Sequence, residues 1–178
     1  GVFKNKLNYS HVNCFTANSD DLNDRSNRKN KTEVVFEDIL YKKLLELNIS
    51  IPESAINQAL KEFVSTRAAM SDMLANKEVY YLIKDGVQVT YQDEKGRDIQ
   101  DRVKVINFNE PEKNDFTVVS QLWIKGTVCY RRPDLIIYIN GLPLVFIELK
   151  NSNIQLQNAY KNNLTNYRKD IPILFNYN

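Results

Sequence analysis

The stretch RPDLIIYINGLPLVFIELK, residues 132–150, limits more than any other what this chain can fold into. Asn140 and Gly141 form the strongest short turn signal in the sequence, since both residue types tolerate positive φ and such pairs join antiparallel strands. On either side lie LIIYI and LPLVFIELK, each apolar on both faces. Strands of this composition are usually covered by helices on both sides, which places the hairpin in the middle of a sheet. Charge appears only at its open end, in Asp134, Glu148 and Lys150. Alternation along the second strand puts Leu144, Phe146, Glu148 and Lys150 on one face and Val145, Ile147 and Leu149 on the other. With a three-residue loop Ile139 pairs with Pro143 and Asp134 falls opposite Glu148; a two-residue loop puts Asp134 opposite Ile147 instead. The expected register is the first, or a bulge that restores it.

Asp134, Glu148 and Lys150 then meet at one edge of an apolar hairpin. Two carboxylates a few ångströms apart repel and do not both stay ionised cheaply without a cation between them. With oxygen donors and no His or Cys nearby, that cation is magnesium, or manganese in its place. A lysine beside it would orient a metal-bound water or balance charge on a phosphate. An isolated acid and lysine two apart on a strand is most often a surface ion pair. Here Pro133 before Asp134, the hairpin spacing and the apolar strands favour the phosphodiester-hydrolysing site, because charge is costly in that setting.

Elsewhere the chain reads as helices, then strands. Residues 18–31, NSDDLNDRSNRKNK, are polar and mixed in charge, so residues 1–31 are expected as a partly mobile lead-in and 32–178 as the folded domain. Thr32 is placed as the N-cap of a helix through TEVVFEDILYKKLLELN, with Val35, Ile39, Leu40, Leu44 and Leu47 at helical spacing. Ser50 and Pro52 open a second helix, ESAINQALKEFVSTR, and a third short one is expected around Met70 to Ala75. YYLIKDG, VQVTYQDEKGR, RVKVINF and FTVVSQLWIKG read as antiparallel strands and hairpins. A helix from Leu156 to Lys169 and a last strand, ILFNY, complete the expectation.

The bulk properties exclude several function classes. With 24 Lys plus Arg against 22 Asp plus Glu, no global field marks a nucleic-acid or membrane partner, so any basic surface is local. Two cysteines without a CxxC pair and one histidine argue against structural zinc and for a reduced, cytoplasmic protein. No apolar run reaches the roughly 18 residues of a membrane span, and the start lacks a signal-peptide block. There is no GxxxxGK[ST] loop, so the chain carries no ATP motor of its own.

RRPDLIIYINGLPLVFIELKN resembles the nuclease motif of the PD-(D/E)xK superfamily, specifically the N-terminal endonuclease domain of type I restriction enzyme R subunits. The similarity extends through EVVFEDILYKKL, the segment from GVQVTYQDEKGR to SQLWIKG, and IPILFNYN. The resemblance implies a restriction-endonuclease-like α/β (α+β) core with a central mixed sheet flanked by helices. It implies that Asp134, Glu148 and the backbone carbonyl of Leu149 hold the metal, with Lys150 as catalytic lysine and Glu37, less so Glu33, as a further acid from an early helix. Many relatives carry QxxxY after the motif; here Asn163 and Tyr167 stand at that spacing, with Asn in place of Gln. Arg131, Arg132, Lys161, Arg168 and Lys169 flank this region as candidate phosphate contacts. The resemblance further implies Mg²⁺-dependent cleavage of double-stranded DNA with little sequence preference. A translocase beyond residue 178 would use the ATP, and methyltransferase and specificity subunits would be partners. Two alternatives remain: another PD-(D/E)xK nuclease of a mobile element or repair system, and a non-catalytic nuclease-like domain that binds DNA or subunits.

Overall fold

The structure is a computed structural model that describes residues 2–149 and 164–177. Its centre is a mixed four-stranded sheet in the order β1 (Ser10–Asn13), β4 (Phe116–Ser120), β7 (Leu135–Ile139), β8 (Leu142–Ile147), with β1 parallel to β4 and the other pairs antiparallel. A separate hairpin pairs β2 (Val87–Gln92) with β3 (Asp98–Val103), and a short one pairs β5 (Ile124–Lys125) with β6 (Tyr130–Arg131). The helices are α1 (Val2–Asn5), α2 (Glu37–Leu47), α3 (Glu53–Val64), α4 (Asp72–Asp85), α5 (Thr165–Asp170) and α6 (Pro172–Phe175). The core joins Leu40 and Leu44 of α2, Ile56 and Phe63 of α3, Val119, Ile136, Tyr138 and Leu142 of the sheet, and Leu174 of α6. This is the restriction-endonuclease-like α+β arrangement.

The hairpin forms by a different route from the one expected. Asn140 and Gly141 have φ of 53° and 84°, so the turn has two residues, and Ile139 pairs with Leu142 and Tyr138 with Pro143. The register then shifts, Ile137 pairing with Val145, Ile136 with Phe146 and Leu135 with Ile147, so Leu144 is the extra residue of a bulge. The next opposed positions are Asp134 and Glu148. The restored register holds and the three-residue loop does not.

Several boundaries differ from expectation. Among the described residues β8 is an edge strand, not a central one, and its Val145 is 40% exposed. Residues 10–31 are built into the fold: β1 pairs with β4, Cys14 is buried, and Asp24, Arg28 and Lys31 form a buried ion cluster. Helix α2 starts at Glu37 rather than after Thr32, because Val34, Val35 and Phe36 are all buried and one helix face cannot bury three consecutive residues. Phe36 lies flat on Tyr138 at 4.1 Å and donates its N–H to the Gly141 carbonyl. Gly141 admits no side chain there, since a Cβ would lie 2.6 Å from the Phe36 oxygen. Helix α3 begins at Glu53 with Pro52, not Ser50, in the capping position.

Helix α4 absorbs YYLIKDG, started by Ser71, whose side chain accepts the Leu74 N–H. Its buried residues, Ala75 and Val79, lie four apart, a helical spacing just ahead of the segment that reads as a strand. Strand β3 stops at Val103 because the Asn48 side chain takes both backbone groups of Lys104, replacing a strand partner. Pro172 opens a turn of helix where ILFNY was expected as a strand. The helix expected over 156–169 is seen as Thr165–Asp170, its earlier part lying outside the described residues.

Candidate active site at the open end of the hairpin

Asp134 lies just before β7, whose direction is fixed by pairing on both sides with β4 and β8. Its carboxylate is oriented from two sides: Oδ2 accepts the Leu149 N–H at 2.8 Å and Oδ1 accepts the Gln121 amide at 3.4 Å. Its carbonyl also accepts the Gln121 N–H at 3.2 Å. Gln121 can do this because it sits at φ 58°, turning the chain as β4 ends. Nothing in sequence spacing marked Gln121, which is thirteen residues away and reaches Asp134 only across the β4–β7 pair.

Glu148 is half-buried, and its Oε2 is shielded from solvent. Both carboxylates act on Tyr167 of α5. Burial is the largest cause that pushes the Tyr167 phenol up to about 12, and the negative charges of Glu148 and Asp134 add to it. The phenol donates to the Arg132 carbonyl at 3.1 Å, and its ring meets Phe146 edge-on at 5.1 Å. Tyr167, a candidate DNA contact weighed against a place in the core, is 9% exposed and packed behind the carboxylates.

The donor set fits a hard divalent cation: two carboxylates at opposed hairpin positions, one of them oriented by the Leu149 N–H. Among the described residues no group of three or more His, Cys, Asp or Glu side chains could hold a metal. Glu37 therefore does not join the pair. It begins α2 beside the Gly141 turn, ion-paired with Lys29 at 3.6 Å, whereas Asp134 lies at the other end of β7. Seven residues of extended chain separate them, roughly 20 Å. Glu33 is likewise committed elsewhere, its carboxylate accepting the Lys29 N–H and the Asn30 amide. Lys150, Lys161 and Asn163 lie outside the described residues.

The candidate basic residues separate by environment. Arg131 is ion-paired with Asp170, its Nε 2.7 Å from Oδ2, which ties β6 to α5. Arg132 stacks on Trp123 and Phe15. Arg168 and Lys169 line a shallow surface hollow with Asp72, Leu164 and Thr165.

The mixed sheet, its flanking helices and the hairpin within it define a restriction-endonuclease-like chain. Residues 2–178 match the family described as type I restriction enzyme R protein N terminus (HSDR_N), and the chain belongs to that family. It is 35% identical over 150 residues to the type I restriction enzyme HindI endonuclease subunit of Haemophilus influenzae, an alignment covering 82% of this chain and 14% of that protein. It is 29% identical over 147 residues to the putative type I restriction enzyme MjaVIIIP endonuclease subunit of Methanocaldococcus jannaschii, covering 80% of this chain and 14% of that one. A second protein of that organism, the putative MjaIXP endonuclease subunit, is 33% identical over 109 residues. The chain thus spans about a seventh of the length of the first two of these relatives.

Proposed function

We propose that this chain is the nuclease domain of a type I restriction R subunit and cuts double-stranded DNA with Mg²⁺. The observation that carries this reading is the opposition of Asp134 and Glu148 at the hairpin's open end, achieved through the Leu144 bulge. A carboxylate locked by Leu149 and Gln121 beside a second one shielded from water is arranged for a cation. A bound Mg²⁺ would polarise the phosphate and acidify the attacking water.

Each protein group has its own part. Asp134 and Glu148 would hold the cation with the Leu149 carbonyl, and Asp134 keeps one orientation because its two donors restrict rotation. Lys150, two residues beyond Glu148, supplies the ammonium that balances charge growing on the phosphate. Tyr167 stays protonated at any working pH with its phenol at about 12, so it positions the Arg132 carbonyl and takes no proton from water. ATP-driven translocation belongs to the rest of such a subunit, and methyltransferase and specificity subunits supply recognition in the cytoplasm.

The test is Mn²⁺ binding, read from the loss of the free-ion EPR signal with a short DNA duplex present. Asp134→Asn and Glu148→Gln are each expected to weaken binding at least about tenfold, since even outer-shell changes cost that much. Wild-type affinity in both variants would overturn the reading.

A further inference from the structure

Two adjacent arginines precede the carboxylate hairpin, and the fold uses them differently. Arg131 gives its guanidinium to Asp170, so its charge is largely offset and its donors engaged. Arg132 has its guanidinium carbon 4.8 Å from the Trp123 ring centre and 5.3 Å from that of Phe15. Among the described residues no carboxylate or hydrogen-bond acceptor meets that guanidinium.

The stack is itself fixed. The Trp123 indole N–H donates to the Thr16 carbonyl at 3.2 Å, and its own carbonyl accepts the buried Arg28 at 2.9 Å. The Phe15 N–H donates to the Asn13 side-chain oxygen at 3.1 Å, and the residue is 56% exposed. Stacking occupies the faces of a guanidinium and leaves its N–H groups on the rim, directed in the plane. A planar rim of donors with full positive charge matches phosphate oxygens, and a residue already held by aromatic rings loses less rotamer freedom on binding. Its place is also right: the Arg132 carbonyl accepts the Tyr167 phenol, which senses Glu148 and Asp134.

We infer that Arg132, clamped by Trp123 and Phe15, grips a backbone phosphate of duplex DNA next to the one that a cation on Asp134 and Glu148 would engage. Arg131 is the structural strut. This assignment rests on the nuclease reading and adds to it a binding residue and two aromatic supports.

Trp123 is the only tryptophan in the chain, so its emission reports on the clamp directly. The experiment titrates the chain with a fluorescein-labelled 20-base-pair duplex in Ca²⁺, following anisotropy and Trp123 emission across a salt series. The wild type is expected to change Trp123 emission as anisotropy saturates. Arg132→Ala is expected to bind about tenfold more weakly, with the slope of log affinity against log salt smaller by about 0.9, the share of one phosphate. Arg132→Lys should keep the slope and lose part of the affinity, because an ammonium carries the charge without the plane.

Trp123 emission unmoved at saturating duplex, or an Arg132→Ala slope equal to the wild type's, would overturn the clamp. Wild-type preference for single strands that disappears in Phe15→Leu would overturn it in favour of base stacking. Asp134-dependent Mn²⁺ binding by the same proteins in Ca²⁺-free buffer separates these results from failure of the nuclease reading, which would remove the metal dependence as well.

Discussion

Replacing Asn140 with Ala should destabilise the domain by about 3 to 5 kcal/mol, because this side chain holds the turn from which the hairpin register starts. Asn140 is fully buried at φ 53°. Its amide donates to the Val105 carbonyl and the Asn114 side chain, both at 2.8 Å, and its oxygen accepts the Asp115 N–H at 2.7 Å. Three bonds at about 1 kcal/mol each, plus about 1 kcal/mol for an alanine in the left-handed region, give the figure. Against a typical total of about 5 to 15 kcal/mol this is a large loss. In urea, with a slope of about 2 kcal/mol per molar, the midpoint should fall by roughly 2 M. Asn140→Gly removes the bonds but keeps the backbone preference, so it should be about 1 kcal/mol milder. Asn140→Asp puts a carboxylate against the Val105 carbonyl and should be the most damaging. A midpoint shift below about 0.5 M for Asn140→Ala, or an Asp variant as stable as the Gly one, would refute the reasoning.

Two further outcomes follow from buried groups of the N-terminal segment. Burial alone would raise the Asp24 carboxyl, but hydrogen bonds from Lys31, Ser26 and Arg28 outweigh it and bring it down to about 2. A carboxyl lower in the folded state than in the unfolded chain contributes stability above pH 4 that is lost as pH falls through about 4 to 2, here about 2 kcal/mol. NMR titration should find the Asp24 midpoint near 2, and a midpoint in the ordinary carboxylate range would contradict the buried cluster. The Cys14 thiol is fully buried, and burial, the largest cause, pushes it up to about 11, while Cys129 is half-exposed. A thiol reagent at pH 8 should therefore modify Cys129 alone in the folded chain and both cysteines in urea.

The hairpin was legible from residues alone because Asn140–Gly141 states its turn and the apolar strands state their pairing. The carboxylate pair was legible for the same reason: charges at the ends of such strands are few and their opposition is a matter of counting. Counting did not give the way the register is kept, since a bulge at Leu144 is decided by how β8 packs rather than by spacing. The lead-in was misread because Asp24, Arg28 and Lys31 look like solvated charge until their mutual pairing buries them. Likewise YYLIKDG has the composition of a strand and becomes helix because Ser71 caps it and the core takes only one of its faces.

The sequence by itself determined the hairpin and placed Asp134 and Glu148 at its open end. Only the tertiary structure decided that Gln121 and Leu149 orient Asp134, that Tyr167 stands behind the acids, that Glu37 lies at the far end of β7, and that Arg131 and Arg132 have different work. These depend on contacts between residues far apart in the chain, such as Tyr167 with Arg132 and Arg132 with Phe15. Local propensity and spacing act over a few residues, whereas such contacts exist only once the sheet has closed and burial has chosen which polar groups must find partners.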